Sequence, residues 1–317
     1  MPVIFDKAPG KVILFGEHAV VYGQPAIAIP IQDVNATARV TPILNAESGK
    51  VRVRARDIGL DELLEDLPLV NPLGAAIRVT LNEITPNHTP AFEIQIDSNI
   101  PISAGMGSGA AVSVAIIRAL SAFLGHPLPD EKVSELAYEV EKLHHGTPSG
   151  IDNTVVTYQK PVYFQRDEPI QLLSITRPTH WIIADTGEKT PTRETVAAVR
   201  ELYEEDPQTY EIIFAEIGSI VHVARQALSV GDLPFLGQLL DKNQQFLREL
   251  QVSSPALENL IAAACEAGAV GAKLSGGGRG GNMIALVPPE RSRQVEEALS
   301  KAGAVRVMPS ILRETSL

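Results

Sequence analysis

The feature that most restricts the fold is a glycine-rich turn between a predicted strand and a predicted helix. Residues 101–111 read Pro-Ile-Ser-Ala-Gly-Met-Gly-Ser-Gly-Ala-Ala, between the alternating segment 92–96 and the apolar stretch 110–124. Glycines allow positive φ and a close approach to a ligand, and the free amide groups at a helix start attract an anion. The turn therefore predicts a phosphate site, although a glycine loop on its own is about equally typical of a tight structural turn.

Two familiar phosphate sites do not fit this turn. A Walker A loop needs a lysine directly after its last glycine, and no lysine follows the glycines of residues 105–109. A dinucleotide-binding fingerprint has Gly-x-Gly-x-x-Gly spacing in an early parallel βαβ unit. Here the spacing is Gly-x-Gly-x-Gly and the flanking strand patterns do not suggest a parallel sheet. A phosphate site of another kind is indicated.

Composition excludes several classes of protein. The 317 residues are 44% hydrophobic, which suits one large or two medium globular domains. A net charge of −11 argues against nucleic-acid binding, which needs a basic face, but a few local cations and Mg²⁺ can still hold a nucleotide. Cys265 is the only cysteine, so no disulfide can form within one chain and a reducing cytoplasm fits. Its helical apolar surroundings predict a buried thiol.

No segment of the chain is predicted to enter a membrane. Residues 1–7 lack the basic-then-apolar order of a signal peptide. The longest apolar stretch, 110–124, contains Arg118 and is short for a membrane span, so it predicts a buried helix. We therefore expect a cytoplasmic protein with no membrane partner.

The spacing of apolar residues predicts an α+β chain in two parts. A strand, three or four helices and then a hairpin, a helix and a returning strand form the second part, which suits an antiparallel α+β sandwich. The composition changes near residue 177, so we predict domains 1–176 and 177–317. The predicted strands are 12–15, 26–29, 51–55, 92–96, 154–158, 161–164, 171–175, 180–186, 270–274, 282–287 and 304–308. Outside the 186–267 region we predict a helix after residue 71, with Ile77, Leu81 and Ile84 on one face, and helices at 110–124, 130–145 and 290–301.

Two acidic residues stand at the end of the helix predicted for 130–145. Glu141 falls at the edge of the buried face, so its carboxylate can point inward, and the irregular turn 146–150 presents Asp152. One carboxylate could hold Mg²⁺ while the other orients or deprotonates a hydroxyl. The alternative is a solvated acid in the last turn of a capped helix, but negative charge there opposes the helix dipole.

Three further polar residues carry little information individually. Lys11 immediately precedes a predicted strand and would by itself be assigned to the surface. His144 and His145 are adjacent, so they do not share a helix face and are poor partners for one metal ion. A hydrogen bond at the helix end is the better interpretation of both histidines.

Together these segments resemble the GHMP family of small-molecule kinases, named for galactokinase, homoserine kinase, mevalonate kinase and phosphomevalonate kinase. Three family motifs occur in order, at 9–23, 101–111 and 273–281, and the resemblance covers nearly the whole chain. It implies a two-domain α+β fold, with an N-terminal ribosomal protein S5 domain 2-like α/β domain and a C-terminal ferredoxin-like α+β domain. Within the family, residues 16–23 and 145–153 are most similar to the mevalonate kinases.

The resemblance also implies roles for individual residues. Lys11 and Asp152 would be catalytic at the substrate hydroxyl, and Glu141 and Ser108 would hold Mg²⁺. The substrate would contact Lys11, Glu17, His18, Asp152, Thr192, Gly277 and Gly278. The ATP phosphates would lie against Pro101, Ala104, Gly105, Met106, Gly107, Ser108, Gly109 and Ala110.

The chain departs from the family pattern at two motifs. The usual glycine loop has two consecutive serines, of which the second is the better candidate for Mg²⁺, and here that second position is Gly109. Ser108 or a water would then replace it. The third motif carries Arg279 and Asn282 where glycine and cysteine are more frequent. Arg279 could contact phosphate or cross-link its own loop.

The implied activity is direct transfer of the terminal phosphate of ATP to the 5-hydroxyl of mevalonate, with ATP and Mg²⁺ as cofactors and a possible homodimer. Asp152 would accept the hydroxyl proton, and Lys11 would keep that carboxylate ionised. A phosphomevalonate kinase or an ATP-dependent decarboxylase is the alternative within the family, but it would need more cations than Lys11 and His18 supply. A non-catalytic metabolite sensor is the rival from another class. Such a sensor would not need Lys11, Glu141 and Asp152, all of which this chain keeps.

Overall fold

The structure, a computed structural model, describes residues 2–84, 89–101, 105–145, 148–188 and 190–315. Within these ranges the strands are β1 (Ile4–Phe15), β2 (Ala26–Pro42), β3 (Val51–Ala55), β4 (Leu60–Leu63), β5 (Phe92–Ser98), β6 (Val162–Phe164), β7 (Gln171–Leu172), β8 (Thr179–Asp185), β9 (Gly271–Ser275), β10 (Asn282–Leu286) and β11 (Arg306–Leu312). The α-helices are α1 (Pro72–Ile84), α2 (Ser108–Phe123), α3 (Asp130–His145), α4 (Ile151–Tyr158), α5 (Thr192–Glu205), α6 (Pro207–Val230), α7 (Leu233–Glu249), α8 (Pro255–Glu266) and α9 (Ser292–Lys301).

The chain divides into two compact units that alternate along the sequence. The first unit comprises Met1–Gly10, Val34–Pro101 and Gly107–Gln159, and the second comprises Lys11–Asp33, Ile102–Met106 and Lys160–Leu317. Most of the first motif therefore belongs to the unit that also contains the C-terminal half of the chain. The domain boundary predicted near residue 177 assumes two domains that follow one another along the sequence. That boundary stays a prediction.

The first unit packs helices beside a mixed group of strands that belong to a seven-stranded sheet. In that sheet β5 pairs antiparallel with residues 36–42 of β2 and parallel with β3, and β4 pairs antiparallel with β3. Helix α2 packs against α1, α3 and α4, and it has buried residues on every side, as expected for a helix that is apolar all round. Its charged residue, Arg118, donates to Asp130 and to the carbonyl oxygen of Thr157. The prediction of a buried helix over 110–124 is confirmed.

One predicted strand is wrong. Residues 154–158 lie in α4, where the hydroxyl of Thr154 donates to the carbonyl oxygen of Gly150 at 2.7 Å. A short apolar run with adjacent valines fits a buried strand and a buried helix equally well by periodicity. Tertiary packing decides between them, because α4 buries Val155 and Val156 and contacts α2 and α3.

The second unit is built on an antiparallel sheet with the strand order β11-β8-β10-β9. The register places Trp181 of β8 opposite Leu286 of β10 and Ser310 of β11. Helices α7, α8 and α9 cover this sheet, and their apolar side chains form one core with those of the strands. Ala19, from the first motif, is part of the same core.

The helices of the second unit begin where the sequence supplies caps. The N-cap side chains Asp206, Asp232 and Ser254 each accept a backbone N–H, and a proline stands at the first or second position of α6, α7 and α8. These residues satisfy amide groups that a helix start leaves unpaired and preset the helical φ. The local sequence therefore determines where these three helices start.

Cys265 is exposed, so the prediction of a buried thiol is wrong. Helix α8 buries Leu257, Leu260, Ile261 and Ala264. Cys265 comes one position after this stripe and turns towards solvent, because successive helical residues are rotated by about 100°.

Within the described ranges, only α6 is long and apolar enough to cross a membrane. Half of its apolar window is buried inside the protein. A helix that contributes to a core meets the same criteria of length and hydropathy, so this finding is weak evidence for a membrane span.

Candidate active site

The first motif forms a tight turn at the end of β1. At Gly16 φ is +100°, and a Cβ there would lie 2.5 Å from the carbonyl oxygen of Pro25, so only glycine fits. His18 has a φ of 61°, which is unfavourable for a residue with a side chain and is often found at functional sites. The turn holds Glu17 and His18 in buried positions, 1% and 6% exposed.

Glu17 forms a buried ion pair with Lys273 of β9. Oε1 of Glu17 accepts from Nζ of Lys273, and neither side chain is more than 1% exposed. Burial raises the pKa of Glu17 and lowers the pKa of Lys273, while each partner's charge opposes the shift. Oε2 of Glu17 has no hydrogen-bond partner in the described part of the chain. It is a buried acceptor that the described residues leave unsatisfied.

The role of Lys273 was not predicted from the sequence, although this residue begins the third motif. The available signal was a lysine inside the apolar strand pattern 270–274. A lysine is almost never fully buried without a partner, so this position implied a buried acid. Which acid it would meet could not be read from the sequence, because Glu17 is 256 residues away.

His18 is neutral at physiological pH. Burial lowers its pKa to about 4, and the charges of Lys273 and Arg279 act in the same direction. Its Nε2 lies 3.0 Å from the carbonyl oxygen of Gly277, which can only accept, so Nε2 carries the proton. Nδ1 is then an acceptor, and within the described residues it has no partner.

The third motif is a loop of unusual backbone conformation. Five of its six residues from 276 to 281 have positive φ, namely Gly276, Gly278, Arg279, Gly280 and Gly281. A Cβ on Gly278 would lie 2.1 Å from the carbonyl oxygen of Val252, and one on Gly277 would lie 3.2 Å from the methyl group of Thr192. The glycines therefore permit close packing of backbone on backbone, and they bring Thr192 beside the residue that binds His18.

Lys11 is buried, at 4% exposed, and does not lie at the surface, where its local sequence taken alone would place it. It lies in the stretch of β1 where every residue from 8 to 15 is buried. Its backbone N–H donates to the carbonyl oxygen of Met106 at 3.0 Å, and two residues later Ile13 exchanges hydrogen bonds with the hydroxyl of Ser275. The second unit thus brings together residues of all three motifs.

The glycine-rich turn leads directly into α2. Gly107, with φ of 68°, is the N-cap, and no described side chain caps the helix start. The first-turn amide groups therefore lack a side-chain acceptor and could bind an anion; that they bind the ATP phosphates stays a prediction. Gly105 has a φ of +69°, and its Cβ position would be 3.9 Å from Cα of Gly276. Ala104 lies outside the described residues.

Glu141 is buried in the last turn of α3 and faces the start of α2. Its side chain belongs to a residue only 8% exposed, and Oε1 lies 3.9 Å from where a Cβ on Gly109 would stand. A hard cation prefers such a carboxylate oxygen. In the described ranges no three acidic, histidine or cysteine side chains are arranged so that they could hold a metal ion together, so Mg²⁺ held here would take its other ligands from Ser108, water and phosphate.

Asp152 lies in the first turn of α4, after Gly150 with φ of 89°. Its neighbour Asn153 is buried and donates to both the backbone oxygen and the hydroxyl of Ser134, which fixes the start of α4 against α3. Asp152 belongs to the first unit and Lys11 to the second. That the two side chains meet one acceptor oxygen stays a prediction.

Comparisons with known proteins identify the family. The family models described as GHMP kinases N terminal domain and GHMP kinases C terminal match residues 71–160 and 224–305. A mevalonate kinase of Pyrococcus horikoshii is 37% identical over 98% of this chain and 96% of its own length. A mevalonate kinase of Thermococcus sibiricus is 36% identical over 98% and 97%. The crystal structure of L. major mevalonate kinase in complex with R-mevalonate has a TM-score of 0.83 at 28% identity, over 99% of this chain and 97% of the other.

Proposed function

The chain belongs to the GHMP kinase family, and we propose that it is a mevalonate kinase. It transfers the terminal phosphoryl group of ATP to the 5-hydroxyl of mevalonate and releases 5-phosphomevalonate, a step of isoprenoid biosynthesis. The observation that carries this proposal is the buried set formed by Lys11, Glu17 and His18 with the third motif. The names of the relatives, and the R-mevalonate bound in the L. major enzyme, support the choice of acceptor.

The acceptor side works by positioning. The unpartnered acceptors Oε2 of Glu17 and Nδ1 of His18 are buried, so a substrate hydroxyl that donates to them replaces hydrogen bonds that the protein leaves unmade. Asp152 accepts the proton of the attacking hydroxyl or orients it. Lys11 stabilises the negative charge that develops on that oxygen.

The phosphate side works through charge. The free amide groups at the start of α2 bind phosphate oxygens. Glu141, with the hydroxyl of Ser108 or a water, would hold Mg²⁺, which neutralises the charge of the β- and γ-phosphates. Phosphoryl transfer needs little more than alignment and charge stabilisation.

Two rivals predict different behaviour. A phosphomevalonate kinase must neutralise an additional phosphate, yet His18 is neutral and Lys273 is already paired with Glu17. Lys11 is then the cation that the first motif can offer to the acceptor's phosphate. A non-catalytic sensor would not need the buried acid and lysine, and this chain keeps Lys11, Glu141 and Asp152.

The test is a coupled assay of ADP release with each acceptor in turn. We expect saturable, Mg²⁺-dependent turnover with mevalonate and at least 100-fold lower kcat/KM with phosphomevalonate, a difference of about 2.7 kcal/mol in transition-state binding. Turnover with phosphomevalonate alone would contradict the proposal. An intact, ATP-binding protein that releases no ADP with either acceptor would favour the sensor.

The surroundings of the enzyme are also part of the proposal. We infer a cytoplasmic enzyme, because the single cysteine and the acidic composition suit that compartment. A homodimer is tested by light scattering on the eluted peak of a size-exclusion column. A monomer at micromolar concentration would contradict it.

A further inference from the structure

Arg279 is the one residue of the loop 276–281 that has positive φ without being glycine, with φ of 54°. That conformation costs a residue with a Cβ more than it costs glycine. The backbone of Arg279 is well bound, because its N–H donates to Val252 at 2.6 Å and its carbonyl oxygen accepts from the hydroxyl of Thr190 at 2.7 Å. Glycine could make both bonds. The backbone therefore gives no reason for an arginine at this position.

One hydrogen bond orients the guanidinium of Arg279, and only some of its N–H donors are bonded within the described residues. Its Nε donates to the carbonyl oxygen of Gln251 at 3.2 Å. Its two terminal nitrogens have no hydrogen-bond acceptor in the part of the chain that the structure describes. The residue is partly exposed. An arginine held by Nε alone presents a planar pair of donors, the geometry that binds a carboxylate through both oxygens.

Arg279 follows closely on the loop residue that binds His18, and its guanidinium lies within electrostatic range of that side of the site. Its charge acts on His18, and His18 is bonded to Gly277, two residues before Arg279. Thr192 packs against the same Gly277. His18, Gly277 and Thr192 are among the residues that the family resemblance assigns to the substrate.

The charges around His18 leave Arg279 as the available cation. Lys273 is paired with Glu17, and both are buried. Lys11 acts electrostatically on Glu17 and is assigned to the reacting hydroxyl. His18 itself is neutral and adds no positive charge. A substrate with a carboxylate at the end opposite its reacting hydroxyl needs one more positive charge.

We propose that Arg279 binds the carboxylate of the acceptor substrate through its two terminal nitrogens and thereby determines that the enzyme selects hydroxy acids over uncharged polyols. The inference rests on the proposed function and deepens it, because mevalonate is such a hydroxy acid.

The experiment compares two acceptors in the wild type and in R279Q. The first acceptor is mevalonate, and the second is 3-methylpentane-1,3,5-triol, in which a hydroxymethyl group replaces the carboxylate. We expect R279Q to lower kcat/KM for mevalonate by about 10- to 100-fold, the usual effect of losing a charged hydrogen bond. The loss should lie in KM for mevalonate, with KM for ATP unchanged. For the triol, wild type and R279Q should agree within about twofold.

Two control variants separate charge from geometry. R279K keeps the charge but loses the paired donors, so its KM for mevalonate should fall between those of the wild type and R279Q. R293Q removes a cation from an exposed position on α9, where Arg293 is 93% exposed, and should behave as the wild type. It controls for the change in net charge.

A purely structural role makes the opposite predictions. If Arg279 only cross-links its loop to Gln251, then R279G lowers the thermal midpoint and leaves KM for mevalonate unchanged. We expect R279G to keep or raise the midpoint, because glycine suits the backbone at this position, and to raise KM as R279Q does. An equal loss with mevalonate and the triol, or a change confined to KM for ATP, would overturn the inference.

Calorimetric titration of mevalonate distinguishes failure of this inference from failure of the proposed function. If mevalonate binds the wild type but not R279Q, and no turnover occurs, the result supports the carboxylate site and contradicts the proposed kinase activity. If both proteins turn over mevalonate normally and bind it with equal affinity, the result supports the kinase activity and contradicts the carboxylate site. A wild type that neither binds nor phosphorylates mevalonate would contradict both.

Discussion

At the scale of single residues, the site depends on polar groups that are buried and only half satisfied. The side chains of Glu17 and His18 are each bonded through one atom inside the protein, and each leaves one acceptor atom without a partner among the described residues. Such groups reduce stability, because desolvation is not compensated. They are retained where a ligand supplies the missing donor, and their position in the first motif agrees with that use.

Asp152 should be needed for turnover and much less for binding. We expect Asp152→Asn to lower kcat by several powers of ten, because the amide cannot accept a proton from the attacking hydroxyl, while KM for mevalonate changes little. Steady-state kinetics with ADP release measures both constants. Asn153→Ala is the folding control, since it removes only the bonds to Ser134. A near-normal kcat in Asp152→Asn would show that Asp152 is not the base.

His18 should make the protein lose stability in mild acid. Its pKa is about 4 in the fold against 6.5 in an unfolded chain, so between these values the unfolded state binds more protons. Stability from this residue is complete above pH 6.5 and is lost as the pH falls towards 4, by roughly 3 kcal/mol in total. Urea unfolding at pH 7.5 and 4.5 measures the loss.

Comparison with variants isolates the contribution of His18 from that of other titrating groups. His18→Gln should show a smaller loss of stability on acidification than the wild type, whereas replacement of the exposed His126 by Gln should leave the loss unchanged. If His18→Gln and the wild type lose the same amount, His18 is not buried in its neutral form.

At the scale of elements, loops with special backbone geometry do more for the site than regular helices and strands. The turn after β1 and the loop between β9 and β10 both contain positive-φ residues, and both approach other backbone segments too closely for a side chain. Glycine is therefore required in these motifs for steric reasons, and the atoms that a side chain would contact can be named. The same loops carry Glu17, His18 and Arg279.

Two glycine variants separate backbone strain from close contact. Gly278 and Gly125 have similar φ, +78° and +83°, but a Cβ would lie 2.1 Å from Val252 O at Gly278 and would meet nothing within 4 Å at Gly125. Gly125→Ala should cost only about 1–2 kcal/mol of stability from the left-handed conformation. Gly278→Ala should cost more and reduce kcat/KM, because the loop must move. Urea unfolding and the ADP assay test both, and equal costs would contradict the steric argument.

At the scale of the whole molecule, the second unit depends on a segment from the beginning of the chain. Ala19 joins its core, Tyr22 stacks on Phe214 with 4.0 Å between ring centroids, and Glu17 neutralises the buried Lys273. Leaving one member of a buried ion pair without its partner costs about 3–5 kcal/mol. Since a domain has only about 5–15 kcal/mol of net stability, this segment is essential to the unit.

A fragment of residues 177–317 should therefore not fold on its own. We expect it to lack a cooperative urea transition by circular dichroism, whereas the full chain has one. Lys273→Met in the fragment removes the uncompensated charge and should restore part of the structure. Cooperative unfolding of the unmodified fragment would contradict this, and it would support a boundary at residue 177 as one between independently folding domains.

Much of this protein could be predicted from local sequence. The motifs identified the family and the α+β class, both of which the comparisons confirm, and helix starts such as Asp206-Pro207 follow from capping chemistry. Glycine positions with positive φ were also expected at the phosphate turn, since no other residue tolerates that backbone so well. These properties depend on interactions within a few residues.

Tertiary structure decided what depends on distant partners. Local sequence alone would place Lys11 at the surface, and it is buried. Residues 154–158 were expected as a strand and are a helix, and Lys273 had no expected role but neutralises Glu17. In each case the outcome is set by the free energy of burial against segments far away in sequence, which local periodicity does not contain. The charge of a buried residue is known only when its partner is known, and the fold supplies that partner.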